Sequence, residues 1–193
     1  VFKIYEKILL ETKELQNDDQ TGIVVQCYLR DSYEHLEKIL HLAIQRKVRM
    51  PIRLVKGAYW DAETIEADAH QFIPPQFLNK EESDICFRQL AYVILKNHQY
   101  LQLVIGSHNL DDHAFVEALR STRFPQAPVI EHQCLHMTYE ALSNGLVRSG
   151  LVTRNYLPIG NLLVGMAYLV RRIMENSSQV GVLAMTRSQQ RDI

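Results

Sequence analysis

Short apolar runs alternate along this chain with longer segments in which apolar residues recur every three or four positions. The short runs are typical of strands, and the longer segments have the spacing of amphipathic helices. Five strands are predicted, at residues 21–29, 53–61, 100–105, 129–135 and 151–159. Helices are predicted at residues 1–14, 62–69, 79–97, 111–119, 139–149 and 161–176, with one more that begins at Asp31 or Ser32.

This alternation favours an α/β fold in which βα units build a parallel sheet. An eight-stranded (β/α)8 barrel usually needs about 250 residues, so this chain supplies about five of the eight βα units. The predicted fold class is therefore part of a TIM-like barrel. A doubly wound open sheet is the structural alternative, and no Gly-x-Gly-x-x-Gly motif supports it.

The strand predicted at residues 53–61 carries two cations, Arg53 and Lys56, in a run that should be buried. A buried cation is costly unless a partner pairs with it. Strict alternation would separate two faces, one with Arg53, Val55, Gly57 and Tyr59 and the other with Leu54, Lys56, Ala58 and Trp60. The strand end is interpreted as the ligand-facing edge of a barrel, where active sites of that fold lie. The alternative is a strand edge whose cations extend into water.

Two other predicted strands end in polar residues, at positions 106–109 and 133–136. A barrel active site requires such groups at one edge of the sheet. Alternation places His132, Cys134 and His136 on one face, and with His108 they could bind zinc. The chain has neither paired cysteine spacing nor a His-Glu-x-x-His motif, so no metal is predicted.

The last predicted helix carries four polar residues on one face, at positions i, i+3, i+4 and i+7: Tyr168, Arg171, Arg172 and Glu175. Two adjacent guanidinium groups form a fork that suits a carboxylate or a phosphate. The alternative is a solvated face with an Arg172–Glu175 ion pair. Tyr59 and Tyr156, at earlier strand ends, favour the anion site because they would add aromatic walls to it.

The composition narrows the class of protein. The chain is 47% hydrophobic and 22% charged, as soluble globular proteins are, and its net charge of -1 gives no field that would attract nucleic acid. Three scattered cysteines indicate a reducing compartment. No apolar run is long enough to span a bilayer, and no signal peptide is recognisable. Because Val1 lies inside a predicted helix, we expect the chain to belong to a longer protein.

Four segments, RLVKGAYW at 53–60, SHN at 107–109, QCLH at 133–136 and AYLVRRIMEN at 167–176, resemble the proline dehydrogenase domain of bacterial bifunctional proline utilization A flavoenzymes. The resemblance implies the C-terminal portion of a (β/α)8 barrel, with residues 1–193 as a partial domain that lacks the early strands and residues 178–193 as a frayed tail. The family binds FAD, oxidises L-proline to Δ1-pyrroline-5-carboxylate and passes the electrons to a membrane quinone.

The resemblance also assigns roles to individual positions. The proline carboxylate would be held by Arg171 and Arg172, and the proline ring by Tyr59, Leu135, Tyr156 and Tyr168. The flavin would be surrounded by Gln26, Arg53, Val55, Lys56, Gly57, Ala58, Trp60, His108, Asn109, Gln133 and Glu175. The family's catalytic lysine and aspartate belong to strands that precede Val1. Its threonine-arginine-lysine stretch is replaced here by Leu78-Asn79-Lys80, so no adenosine contact is assigned.

The expected setting follows from the same resemblance. The parent protein would be cytoplasmic, peripheral at the inner membrane, and would also carry a pyrroline-5-carboxylate dehydrogenase domain. Residues 1–193 alone are expected to be inactive, and either to self-associate through an open barrel edge or to carry loops that fold over it. Two alternatives stay open. One is a Schiff-base aldolase with Lys56 as the nucleophile, although alternation turns Lys56 away from Tyr59. The other is a cofactor-free structural segment.

Overall fold

The computed structural model describes residues 2–57, 59–136, 140–157 and 159–160, together with positions 166 and 170. Its centre is one parallel sheet of five strands, arranged in the order in which they follow along the chain. The strands are Ile23–Gln26 (β1), Met50–Val55 (β2), Leu101–Gly106 (β3), Glu131–Leu135 (β4) and Thr153–Tyr156 (β5).

This strand order confirms the predicted fold class. Consecutive parallel neighbours joined by helices are the arrangement of a (β/α)8 barrel wall. A doubly wound sheet would contain a point at which the strand order reverses, and the five described strands contain none.

Six helices join or flank these strands in the described part of the chain. They are Phe2–Glu11 (α1), Ser32–Arg46 (α2), Trp60–His70 (α3), Lys80–Lys96 (α4), Leu110–Arg123 (α5) and Glu140–Arg148 (α6), with a short 3-10 turn at Lys13–Leu15. The helix predicted at 161–176 lies outside the described residues except for Met166 and Val170, which are both helical. None of the described helices combines the length and apolar composition of a membrane span.

The observed N-terminal cap of α5 differs from the one predicted from the sequence. We expected Asp111 or Asp112 to begin α5, but the cap is Asn109, whose side-chain oxygen accepts the Asp111 N–H at 3.0 Å. Asn79 caps α4 in the same way, by accepting the Glu81 N–H at 3.0 Å. An amide oxygen satisfies an otherwise unpaired N–H of the first helical turn, and this explains the preference for asparagine at both starts.

The continuous strand predicted at 53–61 is wrong beyond Val55. The strand ends there, Gly57 has φ +143°, and α3 begins at Trp60. Only glycine adopts such a backbone conformation readily. Strict alternation therefore does not extend to Tyr59 and Trp60, which lie at the start of a helix instead of on a strand.

The two faces of the sheet differ in what covers them. A row formed by Val25, Leu54, Ile105 and His132 is buried and defines the helix-covered face. Leucine, isoleucine and phenylalanine side chains of α2 and α4 complete this core, among them Leu36, Ile39, Phe87, Leu90 and Ile94. The next row, Gln26, Val55, Gly106 and Gln133, points the opposite way and defines the site face. All four residues of the site face are only partly buried.

Candidate active site

The strand register gathers predicted site residues at the carboxyl edge of the sheet. Gln26 pairs with Val55, Val55 with Gly106, and Gly106 with Gln133. Residues paired in this way lie side by side and point to the same face. Three residues expected around a flavin, Gln26, Val55 and Gln133, therefore form one row, and Gly106 stands in the middle of it.

Further predicted residues lie on the same face in the adjoining rows. Arg53 is two positions before Val55 on β2, and Leu135 is two positions after Gln133 on β4. Leu135 pairs with Tyr156, whose side chain is 53% exposed at the end of β5. The structure thus brings Arg53, Leu135 and Tyr156 to the face that carries the predicted flavin row.

Gly106 leaves room for the Arg53 side chain. A Cβ atom built at Gly106 would lie 3.3 Å from Arg53 Nη2, 3.4 Å from Arg53 Nε and 3.0 Å from Val55 Cγ1. The guanidinium group therefore lies against the glycine backbone of the neighbouring strand. The sequence marked Gly106 only as a strand end. A glycine beside a long cation on the next strand was the available signal for its role.

A polar chain runs across β4 and β5 on the site face. Gln133 Nε2 donates to Glu131 Oε1 at 2.6 Å, and Arg154 Nη2 donates to Glu131 Oε2 at 2.9 Å. The Arg154 side chain is 71% exposed, so this pair lies at the open rim. The Glu131 contact orients the Gln133 amide, which can both donate and accept hydrogen bonds.

The loop after β3 is tied to β4 and to α5. His108 Nε2 accepts the Leu135 N–H at 3.1 Å, which requires that nitrogen to be unprotonated. Ser107 Oγ accepts the Asn109 N–H at 3.1 Å and donates to Asp112 Oδ2 at 2.7 Å. The backbone around His108 and Asn109 is therefore held by the neighbouring strand and helix.

Lys56 contacts the helices that cover the sheet. Its Nζ lies 2.6 Å from Asp84 Oδ1 on α4, 2.9 Å from Asp112 Oδ2 on α5, and 5.7 Å from the Phe87 ring centroid. Burial acts to lower the pKa of Lys56, but the charge of Asp112 and hydrogen bonds to both carboxylates outweigh it and raise that pKa. A Schiff-base nucleophile must be a neutral amine, so this geometry counts against the aldolase alternative.

The residues between β2 and α3 surround the turn at Gly57. We expected Gly57 to leave space for a flat ligand, but the Tyr28 ring occupies that space and would clash with a Cβ atom built there. Trp60 Nε1 donates to the Phe77 carbonyl at 2.8 Å, which fixes the indole against the segment before α4. Tyr59, 42% exposed, is the residue immediately before α3.

Five predicted site residues fall outside the described part of the chain: Ala58, Tyr168, Arg171, Arg172 and Glu175. The zinc alternative is not supported where the chain is described, because no three His, Cys, Asp or Glu side chains there are grouped to hold a metal ion. His132 instead contacts His113 and Glu117 of α5, and Cys134 packs against Leu142.

A family model described as "Proline dehydrogenase" matches residues 2–185. The chain belongs to the proline dehydrogenase family. This confirms the family resemblance found in the sequence, over nearly the whole chain.

Curated relatives of this proline dehydrogenase family chain are much longer than the chain itself. The bifunctional protein PutA of Escherichia coli (strain K12) is 30% identical over 182 residues, which cover 91% of this chain and 14% of that protein. The mitochondrial proline dehydrogenase 1 of Arabidopsis thaliana is 29% identical over 168 residues, which cover 84% of this chain and 34% of that protein. The chain therefore spans a small part of the length of the relatives it matches.

Solved structures show the same backbone arrangement. Proline utilization A from Bdellovibrio bacteriovorus, inactivated by N-propargylglycine, superposes with a TM-score of 0.89 at 35% identity, covering 96% of this chain and 19% of that chain. A Bradyrhizobium japonicum proline utilization A variant superposes with a TM-score of 0.85 at 27% identity, covering 95% of this chain and 19% of that one.

Proposed function

We propose that the protein containing this chain is an FAD-dependent proline dehydrogenase, which oxidises L-proline to Δ1-pyrroline-5-carboxylate and passes the electrons to a quinone. The observation that carries the proposal is the row on the site face, Gln26, Val55, Gly106 and Gln133, with Arg53 beside it. In a barrel this carboxyl edge is where ligands bind. Membership of the proline dehydrogenase family supplies the substrate class.

The residues of the site face suit the flavin ring system. Its heteroatom edge needs hydrogen-bond donors and acceptors, and its planar body needs a shallow, partly apolar surface. Arg53 provides only donors, whereas Gln26 and Gln133 provide both. Val55 is apolar, and the missing side chain of Gly106 leaves the space in which the Arg53 guanidinium lies. We propose that these five residues, with His108 and Asn109 at the edge, hold the cofactor.

The substrate would bind next to this face. We propose that Arg171 and Arg172 hold the proline carboxylate, because guanidinium groups bind carboxylates through two parallel hydrogen bonds. The proline ring would be enclosed by Tyr59, Leu135, Tyr156 and Tyr168. Apolar and aromatic walls exclude water and fix the orientation of a small ring.

FAD, when bound, supplies the acceptor for the hydride that leaves the carbon next to the proline nitrogen. The chain's own contribution is to bind and orient both reactants and to exclude water. We propose that the electrons pass to a quinone while the protein is peripheral at the cytoplasmic side of the inner membrane. We further propose that the parent protein also contains a pyrroline-5-carboxylate dehydrogenase domain, as a bifunctional enzyme does.

The full-length protein tests this proposal directly. We expect the purified protein to show flavin absorbance and to reduce a redox dye when proline is added. Arg53→Met should lose bound flavin, whereas Arg49→Met, an exposed residue just before β2, should retain it. A preparation with no flavin, no flavin uptake on titration and no proline-dependent dye reduction would show that the proposal is wrong and would favour a cofactor-free structural role.

A further inference from the structure

Two buried histidines link the end of β3 to β4 through α5. His113 Nε2 lies 2.9 Å from the Ser107 carbonyl oxygen, and His113 Nδ1 lies 2.8 Å from His132 Nδ1. On its other side, His132 Nε2 lies 3.0 Å from Glu117 Oε1. The two rings are 1% and 0% exposed. Three hydrogen bonds thus join Ser107, His113, His132 and Glu117 in one line.

The groups at the two ends of this hydrogen-bonded line, the Ser107 carbonyl and the Glu117 carboxylate, determine how many protons it needs. A carbonyl oxygen and a carboxylate oxygen can only accept hydrogen bonds. Both ends must therefore receive a proton from an imidazole, and the contact between the two Nδ1 atoms needs a third proton. Two neutral imidazoles carry only two protons, one on each ring. Either one hydrogen bond is missing or the group holds an additional proton.

Glu117 does not supply that proton. Its other oxygen, Oε2, accepts a hydrogen bond from Arg120 Nε at 3.1 Å. Burial acts to raise the pKa of Glu117, but hydrogen bonds from His132 and Arg120 outweigh it and lower that pKa overall. Glu117 is therefore a carboxylate at neutral pH, and the additional proton must lie on the histidines.

We infer that the His113–His132 pair holds one proton more than two neutral imidazoles, with His132 as the imidazolium and His113 as the neutral Nε2–H tautomer. In this state His132 donates from both nitrogens, to Glu117 and to His113 Nδ1. His113 accepts at Nδ1 and donates from Nε2 to the Ser107 carbonyl. All three hydrogen bonds are then made, and no buried nitrogen is left without a partner.

The charges around the pair favour this proton. Glu117 is hydrogen-bonded to His132 and Asp112 acts electrostatically on His113, so both negative charges favour a proton on the pair. The nearby cations are paired with these carboxylates, Arg120 with Glu117 and Lys56 with Asp112. Cys134, on the same face of β4 as His132, stays a neutral thiol because burial raises its pKa.

The placement on His132 agrees with the surroundings of His113. Burial lowers the pKa of His113, and the neighbouring His132 lowers it further. The Ser107 carbonyl and Asp112 act in the opposite direction but do not outweigh these effects. His113 is therefore the neutral member of the pair. His132 has the carboxylate of Glu117 on its other side, and this is the position where an imidazolium is stabilised most.

This proton makes His113 and His132 positioning residues for the site face, an inference that rests on the proposed function. The Ser107 carbonyl immediately precedes His108 and Asn109, and His132 immediately precedes Gln133. The line of hydrogen bonds thus fixes the loop after β3 relative to β4. Loss of the proton removes one of the three bonds and loosens residues proposed to contact the flavin.

The Glu117→Gln variant removes the need for the additional proton while keeping the three hydrogen bonds. The amide nitrogen of glutamine can donate to His132 Nε2, and its oxygen can still accept from Arg120. His132 can then donate from Nδ1 to His113, and His113 from Nε2 to Ser107. All three hydrogen bonds persist with both rings neutral. Glu140→Gln is the matched control, since Glu140 is 57% exposed and lies 3.8 Å from His136.

The protonation of the two histidines can be measured by solid-state NMR of the full-length protein, labelled with nitrogen-15 in its histidine rings. At pH 7.5 we expect the wild-type protein and Glu140→Gln to show one imidazolium signal that is absent from Glu117→Gln. Identical imidazolium signals in wild type and Glu117→Gln would overturn the inference. If Glu117→Gln does not fold, neutron diffraction from wild-type crystals decides between three occupied ring-nitrogen sites, as inferred, and two, which would overturn it.

Flavin binding provides the second readout. Removal of the additional proton at alkaline pH takes away one of the three hydrogen bonds in the line. We expect the flavin dissociation constant of the wild type to rise at alkaline pH and that of Glu117→Gln to change much less. Parallel pH profiles would refute the positioning role. A protein that binds no flavin would refute the proposed function, while the NMR result would still decide the proton.

Discussion

At Gly106 the absent side chain is what allows the Arg53 guanidinium to lie against β3. Gly106→Ala would place a methyl group 3.0 Å from Val55 Cγ1 and 3.3 Å from Arg53 Nη2, so the guanidinium must shift. A hydrogen bond to a charged group is worth about 1.5–3 kcal/mol, so we expect flavin affinity to fall by about tenfold or more. The measurement is a flavin titration of the full-length protein.

Gly145→Ala is the matched control for that variant. Gly145 lies inside α6, and a Cβ atom there would meet nothing within 4 Å. Alanine is favoured over glycine in a helix by about 0.5–1 kcal/mol, so this variant should be slightly more stable and bind flavin as the wild type does. Equal flavin affinity in the two variants would show that the space beside Gly106 is not needed.

Arg171 and Arg172, adjacent in the sequence segment 167–176, are proposed to hold the proline carboxylate. Arg171→Met or Arg172→Met in the full-length protein should raise KM for proline strongly, because each removes hydrogen bonds worth about 1.5–3 kcal/mol to the substrate carboxylate. Steady-state kinetics with a dye acceptor measure this. Arg148→Met, in an exposed position on α6, is the control. An unchanged KM in both variants would mean that the carboxylate is held elsewhere.

The sequence predicted side-chain direction well inside regular strands and poorly at their ends. Alternation correctly separated Gln133 from His132, because β4 is regular over its whole length. It failed for Tyr59 because the positive φ of Gly57 ends the alternation, and a single glycine does not reveal that from local pattern. The contact between His113 and His132 was also missed, since the two residues are 19 positions apart and on different elements.

At the scale of elements, Lys56 joins the end of β2 to α4 and α5. Lys56→Met would leave Asp112, whose side chain is 3% exposed, without its cation. Leaving one buried charge of a pair uncompensated costs about 3–5 kcal/mol, so we expect a large loss in the free energy of unfolding. Denaturant titration measures it. Lys38→Met, which removes an exposed pair with Glu34 on α2, should have no measurable effect.

The contribution of Lys56 to the free energy of unfolding should depend on pH in a predictable direction. The pKa of Lys56 is raised above its ordinary value of 10.5, because the two carboxylates outweigh burial. Stability from this group is therefore fully present at neutral pH and is lost only as the pH rises through the raised value. The difference in stability between wild type and Lys56→Met should stay constant from pH 6 to pH 9, whereas a difference that shrinks over this range would contradict the ion network.

Element types were predictable because periodicity is a local property. The helix predicted at 79–97 is observed as Lys80–Lys96 with Asn79 as its cap. Element ends were less predictable where two capping residues compete. Ahead of α5, Asn109 and Asp111 are both suitable caps by residue type, and the local pattern does not show that Asn109 accepts the hydrogen bond.

At the scale of the whole molecule, the sheet has two edges in the described residues, at β1 and β5. We expect residues 1–193, produced alone, to associate as concentration rises and to bind flavin poorly, because unpaired strand edges invite pairing with another chain. Light scattering and flavin titration against the full-length protein measure both. Val24→Lys, which places a charge on β1, should reduce association. A monomer that binds flavin and oxidises proline would contradict this expectation.

The overall architecture needed more than local pattern. Alternating strands and helices indicated a parallel sheet, but strand order depends on handedness and packing, which no single segment determines. The absence of a Gly-x-Gly-x-x-Gly motif favoured the barrel over a doubly wound sheet, and the resemblance carried by the four motif segments implied the same fold. The consecutive order of the five strands agrees with it. The pairing of Lys56 with both Asp84 and Asp112 could not be predicted, because it depends on how three separate elements pack together.

The consecutive strand order also bears on how the chain is made. Each described strand pairs with the strand nearest to it in the sequence, so none of the described pairings joins remote parts of the polypeptide. Contacts of low sequence separation form quickly, and protein synthesis releases a chain from its N-terminus onward. The sheet can therefore grow strand by strand on the ribosome, with each newly released βα unit docking onto the edge left by the one before it.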